Sequence, residues 1–115
     1  MLTIYHNPRC SKSREAIAYL EFRKLDFEVV LYMEKPLNKK QIKQLLKKLN
    51  YKPIELVRTQ ESLWKENYST KSMTDEDIIK ILALNPRLIE RPVIVKGDKA
   101  VVARPATNAD ILINQ

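Results

Sequence analysis

The sequence holds one cysteine, one histidine and one glycine in 115 residues. A single cysteine excludes an internal disulfide and any zinc site built from several thiolates, and a single histidine leaves no second imidazole, so no metal site is expected. No apolar run approaches the ~20 residues needed to cross a bilayer. The opening MLTIYHNP lacks the apolar stretch that follows a basic start in a secretory leader, so a cytoplasmic protein without a membrane partner is expected. There are no internal repeats, linkers or low-complexity segments. At 44% hydrophobic and 30% charged residues, the chain can bury a core, and one domain spanning 1–115 is expected.

Acids are also missing where bases concentrate. KPLNKKQIKQLLKKLNYK, from Lys35 to Lys52, carries seven lysines and no Asp or Glu, while the remaining 97 residues carry fourteen bases and fourteen acids. The whole excess of +7 therefore sits in one segment. Within it Ile42, Leu45, Leu46 and Leu49 recur at helical spacing, with Lys40, Lys43, Lys47 and Lys48 on the opposite side. This pattern reads first as a core-facing helix with a solvated lysine face, and secondarily as a docking surface for an acidic partner. The segment has no arginine and one aromatic, Tyr51, after Lys35. That is poor equipment for reading bases, so no nucleic-acid partner is expected.

What is present orders itself as strand, helix, strand. LTIY (Leu2 to Tyr5) reads as a strand ended by Asn7-Pro8, a helix runs from Ser11 to about Lys24, and FEVVLY (Phe27 to Tyr32) reads as a buried strand paired parallel to the first. The middle, about 38–85, is helical: the lysine-rich helix, a short helix from about Thr59 to Tyr68, and a helix capped by Thr74 and stopped at Asn85-Pro86. Two β-branched runs then flank Lys96-Gly97-Asp98-Lys99, where Gly97 supplies the positive φ of a hairpin. A last helix covers about Asn108 to Ile113. This order predicts an α/β, thioredoxin-like fold: a four-stranded mixed sheet with a helical insertion between the second and third strands. Such a fold puts the loop after the first strand at the active site and predicts a cis bond at Arg91-Pro92.

That loop is HNPRCSKSR. A lone cysteine is ordinarily a small buried hydrophobe. Here it stands at a helix start, where unpaired amides and the macrodipole favour the thiolate, among Arg9, Lys12 and Arg14. A protonated His6 would donate to the sulfur, and the Ser13 hydroxyl is within reach of it. The predicted nucleophile is Cys10. Arg91-Pro92 and Arg104-Pro105 stand at the outer ends of the hairpin, where planar two-point donors suit a tetrahedral oxyanion.

IYHNPRCSKSR, ELVRTQE (Glu55 to Glu61), LIERPVIV (Leu88 to Val95) and VARPAT (Val102 to Thr107) together resemble the glutaredoxin-coupled arsenate reductase family, in order along nearly the whole chain. The resemblance implies that Cys10 is the nucleophile, that His6 and Ser13 favour its thiolate, and that Arg58, Arg91 and Arg104 hold the oxyanion. It further implies that arsenate forms an adduct on Cys10, that glutathione serves as reducing co-substrate, that glutaredoxin clears the mixed disulfide, and that no cofactor is tightly bound. The lone cysteine agrees with the need for an outside thiol. Two other readings share the fold: a regulator that binds a protein such as RNA polymerase, and a monothiol glutaredoxin-like oxidoreductase. The first commonly uses a Cys-x-x-Cys switch, which Cys10-Ser11-Lys12-Ser13 lacks, and the second has no need of three arginines.

Overall fold

The computed structural model describes Met1 to Asn114. Four strands form one mixed sheet in the order β2-β1-β3-β4. β1 (Leu2–Tyr5) pairs parallel with β2 (Phe27–Val30) and antiparallel with β3 (Val93–Lys96), and β3 pairs antiparallel with β4 (Lys99–Val102). The predicted mixed sheet and the helical insertion between its second and third strands are both present. The hairpin turns at Gly97, whose φ of 61° is the left-handed conformation that glycine adopts most readily.

Packing divides the chain into two compact units, one comprising residues 1–35 with those from Arg91 onward, the other Pro36–Glu90. In the first, α1 (Ser11–Phe22) covers the sheet with Ser13, Ala16 and Leu20, spaced three and four residues apart on one face. Ala16 and Leu20 join Leu2, Ile4, Ile94, Ala103, Ala109 and Leu112 in a continuous core. The C-terminal segment is shorter as a helix than its sequence suggests: a 3₁₀ turn at Ala106–Ala109 leads into α5 (Asp110–Ile113). Its start is tied to α1 where Asp110 accepts from Tyr19 (2.5 Å) and Arg23 (3.1 Å).

One expectation about this unit fails. The second strand is not buried: it ends at Val30, and Val29 is 45% exposed. β2 is an edge strand with a partner on one side only, so an apolar β-branched run here does not mean cover on both faces.

The second unit is helical. α2 (Lys39–Leu49) begins at a reciprocal Asn38–Gln41 capping box and buries Ile42, Leu45, Leu46 and Leu49, while Asn50 ends it in the left-handed conformation. Pro53–Leu56 and Pro86–Leu88 are 3₁₀ turns, each opened by a proline. α3 (Ser62–Asn67) starts three residues later than its sequence suggests. α4 (Asp75–Leu84) is capped by Thr74, has three acids in its first turn and packs on α2. An isolated antiparallel bridge joins Val57 to Ile89, a pairing too short to leave a periodic signal in the sequence.

Candidate active site

The register of the sheet decides which loops meet. Tyr5, the last residue of β1, pairs with Val93, and Val93 pairs with Val102. The segment after Tyr5, the residues before Val93 and those after Val102 therefore emerge at the same end of the sheet. These are the Cys10 loop, Arg91 and Arg104. The Arg91-Pro92 and Arg104-Pro105 bonds are both cis. The first was expected. Pro92 is anchored where its carbonyl accepts from Ala103 N–H at 2.8 Å.

The loop is a tight turn held by several local hydrogen bonds. Asn7 opens it: its carbonyl accepts from Cys10 N–H (3.0 Å) and its side-chain Oδ1 from Arg9 N–H (3.1 Å). Asn first and Pro second are the residues this turn favours, because the Asn side chain mimics a turn and proline presets φ. Arg14 donates from Nη1 to the Pro8 carbonyl at 2.8 Å. Ser13 is fully buried; its Oγ accepts from Asn7 N–H (3.0 Å) and meets His6 Nδ1 at 2.6 Å.

Cys10 is the N-cap residue of α1, in extended conformation, and only 8% exposed. Burial raises the pKa of its thiol. The Ser13 amide, the Arg91 guanidinium acting through hydrogen bonding and charge, and the Lys12 amide outweigh this and hold the thiol below its ordinary value. Neither amide makes a fully formed cap hydrogen bond, so their effect is that of oriented dipoles near the sulfur. Two nitrogens of Arg91, Nε and Nη1, are buried without a hydrogen-bond partner among the described residues. A guanidinium with two buried donors unmet, beside a thiolate-favouring sulfur, is arranged to receive an anion.

Several expected contributors act differently from their sequence reading. The cations adjacent to Cys10 are not its main partners: Lys12 pairs with Glu15 at 3.5 Å, and Arg14 serves the Pro8 carbonyl. The Ser13 hydroxyl does not reach back to the sulfur, because it is taken by His6 and Asn7; Ser13 acts on the sulfur through its backbone amide. His6 is held below its ordinary value by burial and by the Arg14 charge, which favours the neutral imidazole, and its Nδ1 braces Ser13. Arg104 is solvent-exposed, with its backbone fixed by Asn108 Nδ2 donating to the Val102 and Arg104 carbonyls. Among the described residues no three His, Cys, Asp or Glu side chains gather as a metal site, and no helix is long and apolar enough to cross a membrane.

Residues 5–111 match the model of the ArsC family. The chain belongs to the ArsC family. Among its relatives, the Haemophilus influenzae arsenate reductase is 36% identical over 89% of this chain and 90% of its own length. YfgD of Escherichia coli K12, a protein of unassigned function, is 44% identical over 89% and 87%. A solved Yersinia pestis protein superposes with a TM-score of 0.90 at 41% identity, covering 95% of this chain and 97% of that one. The thioredoxin-like fold is thereby established along with the family.

Of the six ArsC positions identified from sequence, the strand unit brings Cys10, His6, Ser13 and Arg91 into one cluster and leaves Arg104 in solvent at the same sheet end. Arg58 belongs to the helical unit, where it is engaged by other groups. Its Nη2 meets Glu61 Oε2 at 3.1 Å and its Nη1 donates to the Arg87 carbonyl at 3.1 Å. The brace from Arg14 to Pro8 and the partners of Arg58 escaped sequence reading. The i,i+3 spacing of Arg58 and Glu61 was the available sign for the second, and nothing marked the first.

Proposed function

We propose that the protein reduces arsenate to arsenite, using Cys10 as nucleophile and glutathione with glutaredoxin as the electron supply. The observation that carries this reading is the Cys10 thiol, lowered in pKa, facing an Arg91 whose Nε and Nη1 are buried and unpartnered. Arg91 and the dipoles of the Ser13 and Lys12 amides stabilise negative charge on sulfur before reaction and on the oxyanion during it. Cys10 thiolate attacks arsenic and displaces one oxygen as water, forming a cysteinyl-arsenate adduct. Glutathione thiolate attacks the Cys10 sulfur; the S–As bonding pair stays on arsenic, which leaves as arsenite, and Cys10 is left in a mixed disulfide with glutathione. Two electrons thus pass from two thiols to arsenic. With no second cysteine in the chain, the disulfide is cleared by thiol exchange with glutaredoxin. The resemblance to the family's motif adds Arg104 and Arg58 to this reading as expected oxyanion ligands.

The test is arsenite formation from arsenate with glutathione and glutaredoxin. Wild type is expected to turn over and Cys10→Ser to be inactive. A wild type that forms no arsenite, or a Cys10→Ser variant that retains the rate, removes the proposal.

A further inference from the structure

Arg58 sits in a small charged network that its proposed role as an oxyanion ligand does not explain. Its backbone is pinned on both sides: Arg58 N–H donates to the Leu88 carbonyl at 2.7 Å, and the Arg58 carbonyl accepts from Glu61 N–H at 3.0 Å. Glu61 then divides its carboxylate. Oε2 takes Arg58 Nη2 at 3.1 Å, while Oε1 takes Arg87 Nε at the shorter distance of 2.8 Å. The Arg58 and Glu61 side chains are 21% and 18% exposed, whereas Arg87 is 70% exposed. A carboxylate this close to a lone arginine would cancel most of its pull on an anion. With Arg87 sharing the carboxylate, the trio keeps a net charge of +1.

We infer that Arg87 and Glu61 are positioning residues for Arg58: Glu61 aims the guanidinium, and Arg87 draws off enough of the Glu61 charge to leave Arg58 attractive to an oxyanion. The assignment rests on the reading of Arg58 as an oxyanion ligand. It makes a prediction of sign that a merely structural ion pair does not. Removing Arg87 leaves Arg58 and Glu61 as a neutral pair and weakens anion affinity. Removing the Glu61 charge as well restores it, because the two substitutions act on one balance and are not additive.

The experiment measures the arsenate concentration that half-protects Cys10 from alkylation, alongside kcat and KM for arsenate reduction. Arg87→Gln is expected to raise both the half-protecting concentration and KM about three- to fivefold, the scale of one partly exposed charge contact, with kcat unchanged. Arg87→Lys should stay near wild type, since it keeps the charge, and Glu61→Gln combined with Arg87→Gln should return towards wild type. An Arg87→Gln variant that binds arsenate as wild type does, or a double variant weaker than the single one, overturns the inference. The Arg58→Gln variant separates the two levels. If it alters neither protection nor KM, the reading of Arg58 itself falls. If it alters both while Arg87→Gln alters neither, only the role of Arg87 and Glu61 falls. Protection is measurable whether or not arsenate is turned over, so a failed reductase reading is distinguished as well.

Discussion

In the strand unit Arg91 keeps Nε and Nη1 buried and without a partner among the described residues; in the helical unit Arg58 has its guanidinium engaged by a carboxylate and a carbonyl. Two arginines of the same motif set are thus kept in opposite states. Leaving a buried donor unmet costs about 1–3 kcal/mol, and more when the group is charged. Such a group persists where neighbouring packing fixes it and where its charge has another use. Arg91 has both, because Pro92 is tied to Ala103 and the Cys10 sulfur is in reach of its field. Arg58 has its guanidinium engaged by Glu61 and the Arg87 carbonyl and carries no comparable cost, so under the proposed function it is expected to contribute less to anion binding. A shared motif therefore does not imply equal contributions, and Arg91 should matter most.

The largest effect is therefore expected at Arg91. Arg91→Gln removes both the charge and the idle donors, and reduction should fall on the order of a hundredfold in kcat, the scale of losing one preorganised anion-stabilising group. The Cys10 titration should move up at the same time, since a listening charge has been taken from the thiolate. Arg91→Lys should fall between, keeping charge without the planar two-point contact, and Arg104→Lys should weaken turnover by less, because that side chain starts in solvent. Alkylation rate against pH and steady-state kinetics check all three. If Arg91→Gln leaves the thiol midpoint where wild type has it, the contrast between the two arginines loses its basis.

How far the sequence made this legible depends on the range of each interaction. Local devices could be read: the Thr74 cap, the lysine-rich amphipathic helix with Ile42, Leu45, Leu46 and Leu49 on one face, the Gly97 turn and the helix-start position of Cys10 all depend on residues within a few positions of one another. Arg91 was legible as a strand-end arginine before a proline, and the family resemblance tied it to the thiol. The exposure of β2 was not legible, because an edge strand and a central one share the same β-branched composition. Nor was the division of labour around the sulfur. Sequence proximity suggested Arg9, Lys12 and Arg14 as its cations, but side-chain direction sent Arg14 to the Pro8 carbonyl and Lys12 to Glu15, while the effective charge comes from Arg91. The Ser13 hydroxyl was misread for the same reason: its place on the buried face of α1, shared with Ala16 and Leu20, turns it towards His6 and Asn7.

A middle-sized effect is expected at Ser13. Ser13→Ala leaves Asn7 N–H and His6 Nδ1 without their shared partner, and should cost about 1–3 kcal/mol of stability. It should leave most of the thiol depression in place, since the backbone amide that acts on sulfur is retained. A rise in the thiol midpoint as large as that of Arg91→Gln would restore the hydroxyl to the role its sequence position suggested. His6 gives the same brace a pH dependence. Its folded value is lowered from 6.5, so the unfolded chain takes the proton more readily. The stability involved is complete above 6.5 and is lost as pH falls through the folded value. Denaturant unfolding followed from pH 7 to 5 should show this acid loss in wild type and a smaller one in His6→Gln. Equal acid slopes would mean that His6 is not held neutral.

The smallest effect is expected on the lysine face of the helical unit, and it tests whether positive charge alone explains anion chemistry here. Lys43 and Lys47 are both exposed, and the core of α2 is formed by Ile42, Leu45, Leu46 and Leu49 on its other side. Lys43 pairs with Glu76 on α4 at 2.8 Å, with side chains 50% and 64% exposed, a setting in which a salt bridge is worth about 0–1 kcal/mol. Lys47 lies in the last turn of α2, where a cation gains about 0.3–1 kcal/mol from the helix dipole. Changing both to Gln should therefore lower the unfolding midpoint slightly and leave arsenate turnover nearly intact, since exposed charges are screened beyond ~8 Å at physiological salt. Unlike Arg91, neither lysine has a buried donor waiting for a ligand. If Lys43→Gln with Lys47→Gln reduced turnover as strongly as Arg91→Gln, diffuse positive charge would be the operative feature. The difference drawn between a guanidinium with two unmet buried donors and a solvated ammonium would then not hold.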